Sequence, residues 1–95
     1  MQCKSIEEVR ENIDRIDNEI IKLIAERTGY VKQVVNFKNT AEDVQAADRK
    51  ETVIRNVRSK AEEYGANPDM IEALYREMIS RFINMEMDEL KKRES

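Results

Sequence analysis

The chain has 95 residues, a formal net charge of −3, 39% charged residues, no histidine and a single cysteine. That size predicts one domain, spanning residues 1–95, with only a modest core of its own. The absence of His, with Cys3 alone, argues against zinc and removes the commonest general base, so no bound metal is expected. The acidic balance argues against a nucleic-acid partner. No apolar run approaches the ~20 residues that span a bilayer, and no membrane partner is expected. No charged region followed by an apolar one opens the sequence, so no secretory signal and a cytoplasmic location are expected.

Two Gly and one Pro among so many charged residues bias the chain towards helix. Ser5-Ile6-Glu7-Glu8 fits a capping box and opens the first helix. From there Ile6, Ile13, Ile20, Arg27 and Val34 repeat every seven residues, as do Val9, Ile16, Leu23, Tyr30 and Phe37. The pattern passes through Gly29 and predicts a helix over Ser5–Asn39, ~50 Å long. Thr40 to Gln45 is polar, breaks the repeat and reads as a loop. A second helix is predicted over Ala46–Tyr64, with Val53, Ile54, Val57 and Ala61 on one face and Gly65 past its end. Asn67-Pro68 is a cap followed by a first-turn proline. It opens a third helix over Pro68–Lys91, whose stripe runs Ile71, Leu74, Tyr75, Met78, Ile79, Phe82 and Met85 and ends near Glu86. Lys91, Lys92 and Arg93 suit a helix C-terminus, and that accounts for them. The expected fold class is all-α, with one long and two shorter helices. Helices of ~30–35 Å cover only part of a ~50 Å seam, so a two-fold dimer pairing copies of helix one is expected.

Four cations lie on or beside the apolar faces: Arg10, Arg27, Lys38 and Arg49. Arg27 occupies a position of the repeat that calls for a hydrophobe. A charge in a core must be paired, since desolvation costs several kcal/mol. Glu26, Asp17, Asp48 or Glu51 could pair with these cations, or their heads could reach water. A polar residue within the repeat can also serve to set dimer register. No acidic residue of helix one falls in either heptad series to neutralise Arg27. On a continuous helix Arg27 and Lys38 lie ~16 Å apart near one face and could grip a small dianion between them. Arg10 is ~42 Å from Lys38 and reaches such a ligand only across an antiparallel dimer. The sequence thus permits two composite sites per dimer, each for a small-molecule dicarboxylate. Without His, or an evident nucleophile and base, such a site suits a reaction driven by orientation and by stabilising charge along a breaking C–O bond. The residues themselves do not name the substrate.

"VRENIDRIDNEIIKLIAER", then "VNFK" and "ADRK", resembles the all-helical chorismate mutase family of the bacterial type over Val9 to Glu89. The resemblance implies an intertwined homodimer with active sites shared between chains. It implies a cofactor-free Claisen rearrangement of chorismate to prephenate. By the same resemblance Arg10 comes from the partner chain to a substrate carboxylate, and Arg27 binds the other. Lys38 contacts the ether oxygen, and Arg49 lies on the ring-carboxylate side. The cations would then face inward because the ligand is the missing anion.

Three positions depart from the family pattern. Glu86 stands where a glutamine commonly bonds the ether oxygen. A carboxyl donates there only when protonated, so activity is expected to fall as pH rises. Ala46 and Lys50 stand where acidic residues often flank the helix-two arginine. The alanine and "GYVKQVVNFK" are similar to the related isochorismate pyruvate lyases, which give salicylate and pyruvate. A helical dimerisation or regulatory domain without efficient catalysis is a third reading, motivated by Glu86 and Lys50. Tyr30 and Phe82 are expected in the core or the pocket wall, and Val34 and Ile83 either to touch the ligand or merely to pack.

Overall fold

The computed structural model describes residues 2–38 and 40–94, with the side chains of Gln45 and Glu94 outside the description. The described residues are helical almost throughout and contain no strand, so the all-α expectation holds. The elements in chain order are α1 (Ile6–Val34), a 3-10 turn (Val35–Phe37), α2 (Ala41–Gln45), α3 (Ala47–Tyr64) and α4 (Pro68–Glu94). Among the described residues no helix is long and apolar enough to cross a membrane.

The chain divides into two compact units, Met1–Gln33 and Val34–Ser95. The first is α1 as far as Gln33, with the few residues that precede it. Ser5 caps the helix as its spacing predicts, its Oγ accepting the Glu8 N–H at 3.1 Å. The Glu8 carboxylate accepts the amide of Lys4 rather than that of Ser5, at 3.1 Å, so the reciprocal half of the box is shifted by one residue. Asn12 donates to the Glu8 carbonyl (3.0 Å) and to the Cys3 Sγ (3.7 Å), tying the leading segment to the helix. None of the 29 residues of α1 is buried. Ile6, Ile13, Ile20, Leu23 and Tyr30, all members of the seven-residue repeat, are exposed.

The first helix is shorter than its pattern. Instead of running to Asn39 it leaves α geometry at Val34, tightens into the 3-10 turn, and passes into extended backbone at Lys38 (φ −106°, ψ 132°). Asn39 lies outside the described residues. The physical reason is local: Val34 and Val35 lose rotamer freedom in a helix, and Asn36 competes for backbone partners. The seven-residue repeat records which residues are apolar, not whether the backbone can stay helical beneath them.

The second unit has its own small core of Val44, Ile54, Ala61 and Leu90. The polar stretch read as a loop, Thr40 to Gln45, is instead the one-turn α2. Thr40 Oγ1 accepts the Asp43 N–H (3.1 Å) while the Asp43 carboxylate accepts the Thr40 N–H (3.3 Å), a reciprocal cap. The turn buries Val44, the deepest side chain described, at 1% exposure. Ala46 then joins α2 to α3 in the left-handed region (φ 38°, ψ 55°). A residue with a Cβ pays ~1–2 kcal/mol for that conformation.

The expected helix pair follows. Ile54 and Ala61 of α3 are buried and Val53 and Val57 half-buried. Gly65 closes α3 at φ 79°, donating to the Glu62 carbonyl (3.3 Å) while Ala66 donates to that of Ala61 (2.8 Å). Asn67 caps α4, its Oδ1 accepting from Asp69 N–H (2.9 Å) and Met70 N–H (3.1 Å). α4 has 27 residues and runs to Glu94, three beyond the predicted end, so the third helix is nearly as long as the first. Its apolar stripe departs from the expected one in two places: Leu74 is exposed, and Leu90 is buried beyond Glu86.

An ionic ladder ties α3 to α4. Arg58 Nη1 donates to Asp69 (3.0 Å) and Glu72 (2.8 Å). Arg76 donates to Glu72 (2.7 Å) and Glu51 (3.2 Å). The Arg76 guanidinium holds the carboxyls of Glu51 and Glu72 below their ordinary range, and those carboxylates raise Arg76 in turn. Asp69 and then Glu72 raise Arg58.

Candidate functional site

The five site residues predicted from sequence fall in different settings. Arg10 and Arg27 belong to α1, the first exposed and the second half-buried. Arg49 opens α3 and is exposed, so the inward placement expected of it is not found in this chain. Its offset from the buried residues of α3 explains this: Arg49 lies five residues before Ile54, off the 3.6-residue repeat of that face. Lys38 and Glu86 are brought together within the second unit.

The Lys38–Glu86 pair is the most enclosed charge constellation described. Lys38 Nζ donates to Glu86 Oε2 at 3.0 Å, with 18% of the lysine side chain and 5% of the glutamate side chain exposed. The two residues are 48 apart in sequence. Lys38 is placed by the exit from the 3-10 turn, where its N–H donates to the Val35 carbonyl at 3.2 Å. Glu86 is placed by α4, one helical turn before buried Leu90. Burying such a pair costs desolvation that the mutual attraction offsets only when geometry is good.

This arrangement corrects one expectation. The anion facing Lys38 is Glu86, a carboxylate of the polypeptide itself. Glu86 is therefore not a solvated helix-end residue, and it is ion-paired with the Lys38 ammonium. A cation and a carboxyl side by side can bind an ether or hydroxyl oxygen that approaches both. One of the three ammonium hydrogens is given to Glu86, which leaves up to two for such an oxygen. The ammonium is the group that stabilises negative charge developing on an oxygen in contact with it.

Val44 of α2 and Leu90 of α4 are buried in the same unit as Lys38 and Glu86. Arg93 Nη2 donates to the Lys38 carbonyl at 2.5 Å. Sequence reasoning missed Val44, Leu90 and Arg93. Leu90 had a signal, since it follows Glu86 by one helical turn; Arg93 looked like any cation at a helix end. Of the departures noted above, Ala46 sits in the left-handed joint and Lys50 is half-buried in the first turn of α3. Phe82 and Ile83 are half-buried on α4 as expected of wall residues, while Tyr30 and Val34 are exposed.

The comparisons with known proteins agree with this all-helical arrangement. The family model for chorismate mutase type II matches residues 9–87. The chain is 31% identical over 81 residues to the isochorismate pyruvate lyase of Pseudomonas aeruginosa, covering 85% of this chain and 80% of that protein. It is 50% identical over 36 residues to the chorismate mutase of Methanocaldococcus jannaschii, covering 38% of this chain and 36% of that protein. It is 30% identical over 87 residues to the bifunctional chorismate mutase/prephenate dehydratase of Aquifex aeolicus, 87% of this chain but only 24% of that protein. With nearly its whole length inside the family match, the chain belongs to the chorismate mutase type II family.

Proposed function

We propose that this chain is a single chorismate mutase-like domain that rearranges chorismate to prephenate as a homodimer, without a cofactor. The buried Lys38–Glu86 pair is the observation that carries the reading. It supplies an ammonium and a carboxyl where a breaking C–O bond would place charge. In this reading Lys38 and Glu86 bind the ether oxygen, and Arg27 and Arg49 hold the carboxylates. Arg10 of the partner subunit completes the site. The reaction is intramolecular: the ether bond breaks as the new carbon–carbon bond forms, and no proton is transferred. The catalytic contribution is orientation of a flexible dianion plus stabilisation of charge on oxygen.

The homodimer is part of the proposal. Its support is the apolar seam of α1, which buries none of its residues within its own chain. Exposed hydrophobes at seven-residue spacing are what a partner helix would cover.

A second reading is lysis of isochorismate to salicylate and pyruvate. It is favoured by the similarity to the Pseudomonas aeruginosa lyase along 80% of that protein, and by Ala46 and Lys50 in place of acidic residues. Incubating the purified protein with chorismate and isochorismate separately decides between them. Prephenate supports the first reading, and salicylate with pyruvate the second. Neither product would leave a helical dimerisation or regulatory domain and overturn both.

A further inference from the structure

We propose that Arg93, in the last turn of α4, is a positioning residue for Lys38. It holds the lysine backbone so that the ammonium meets the reacting oxygen. This rests on the role given to Lys38 above and extends it beyond the span of the family match, which ends at residue 87.

Lys38 is fixed at three points. Its N–H donates to the Val35 carbonyl at 3.2 Å, and its Nζ donates to Glu86 Oε2 at 3.0 Å. Its carbonyl accepts from Arg93 Nη2. Glu86 and Arg93 are seven residues apart, two helical turns, and so lie on one face of α4. Leu90 lies between them on that face and is buried, 6% exposed. One face of the helix end therefore carries, in order, a carboxylate for the lysine head, an apolar anchor, and a guanidinium for the lysine carbonyl.

The need for such a clamp follows from where Lys38 sits. It is the first extended residue after a 3-10 turn, so its backbone is not held by a helix of its own. A lysine side chain has large rotamer freedom, and its tip magnifies any play at its Cα. Displacement of a reacting group by about 1 Å can cost on the order of a hundredfold in rate. A cation at a helix C-terminus would interact with the dipole wherever its head pointed. Arg93 instead reaches 55 residues back in sequence to one carbonyl.

Two readouts on Arg93→Ala and Arg93→Lys test this. The first is limited trypsin digestion followed by mass spectrometry, comparing cleavage after Lys38 with cleavage after Arg55 inside α3. Trypsin must take the Lys38 side chain and attack its carbonyl, so cleavage there requires release from both Glu86 and Arg93. Arg93→Ala is expected to speed cleavage after Lys38 without speeding cleavage after Arg55, and Arg93→Lys to restore part of the protection. The second readout is steady-state kinetics on chorismate and on isochorismate. Arg93→Ala is expected to lose about tenfold in kcat, the worth of one charge-assisted hydrogen bond, with little change in KM. Arg93→Lys should recover part of that loss.

An unchanged cleavage ratio in Arg93→Ala overturns the clamp. Faster cleavage at both sites together overturns it too, because it marks loss of fold. Selective cleavage with unaltered kcat overturns the catalytic consequence. If the parent protein turns over neither substrate, the proposed reaction fails and the catalytic consequence fails with it. The cleavage ratio still decides whether Arg93 holds Lys38.

Discussion

The first helix and the three that follow solve the same burial problem in opposite ways. α1 carries the most regular apolar pattern in the chain and buries none of it within that chain. The α2–α4 unit has a patchier pattern, yet encloses Val44, Ile54, Ala61 and Leu90 together with Glu86. Regular periodicity is thus no measure of how much a segment buries by itself. It measures how uniform the partner surface must be, and a seven-residue repeat is matched best by another copy of the same repeat. Irregular stripes suit a one-off packing between unlike helices. In the proposed reading, association falls to α1, and Lys38 and Glu86 belong to the other unit.

The largest effects are expected at the residues proposed to bind the substrate. Lys38→Ala should lower kcat/KM by at least ~10²-fold through loss of charge stabilisation. It should also destabilise the fold, on the order of 3 kcal/mol, because Glu86 would be left as a buried carboxylate without its ammonium. Combining it with Glu86→Gln should restore stability, read by urea denaturation, but not turnover. Turnover that survives Lys38→Ala would remove the lysine from the site. Arg27→Ala should abolish turnover while leaving far-UV circular dichroism unchanged; collapse of the helices instead would make Arg27 a structural residue of α1.

Ile20→Asp tests the seam directly. A carboxylate in the middle of an apolar interface costs several kcal/mol, so the variant should sediment as a monomer and lose activity. The ionic ladder and core of the α3–α4 pair contain no residue of α1, so protection of their amides from exchange should persist. A variant that stays dimeric in analytical ultracentrifugation would place the interface elsewhere.

Glu86→Gln is expected to act more gently. An amide always has hydrogens to donate to an ether oxygen, whereas a carboxyl has at most one. The variant should therefore match or exceed the parent in kcat/KM on chorismate. A clear loss of turnover in Glu86→Gln would show that the carboxyl itself is needed and would contradict this use of Glu86. The amide also releases Lys38 from its internal counter-charge, which should lower KM for the dianion.

These residues show which parts of the structure the sequence made legible. Ile54 and Ala61 follow from helical spacing, and Ser5, Gly65 and Asn67 from cap chemistry, because both signals are local. Val44 was hidden because a single hydrophobe in a polar stretch has no period to join. The end of α1 was misplaced because the apolar repeat continues through Val34 to Phe37 while the backbone changes type. The Lys38–Glu86 contact spans 48 residues, and no local rule connects such a pair. Glu86 was reachable only through family likeness, and Arg93 not at all, because a cation at a helix C-terminus already has an adequate local reason to be there.

The smallest effect concerns the ladder between α3 and α4, and its sign is fixed by the carboxylates. Arg76 lowers Glu51 and Glu72 from their ordinary value of 4.5. A carboxylate lowered by folding contributes stability that is present above its unfolded value and lost as pH falls through the folded one. Arg76→Gln removes the main cause of both shifts, although Arg58 still faces Glu72 at 2.8 Å. The parent should therefore melt slightly above the variant at pH 7, and the gap should hold down to about pH 5. Below 4.5 the gap should close, because the parent's carboxylates take up protons and the salt bridges go with them. The ladder is solvent-facing, so the gap should also shrink in 1 M salt. A gap in Tm that persists unchanged to pH 2.5 would mean that Arg76 stabilises through the packing of its aliphatic stem rather than through its charge.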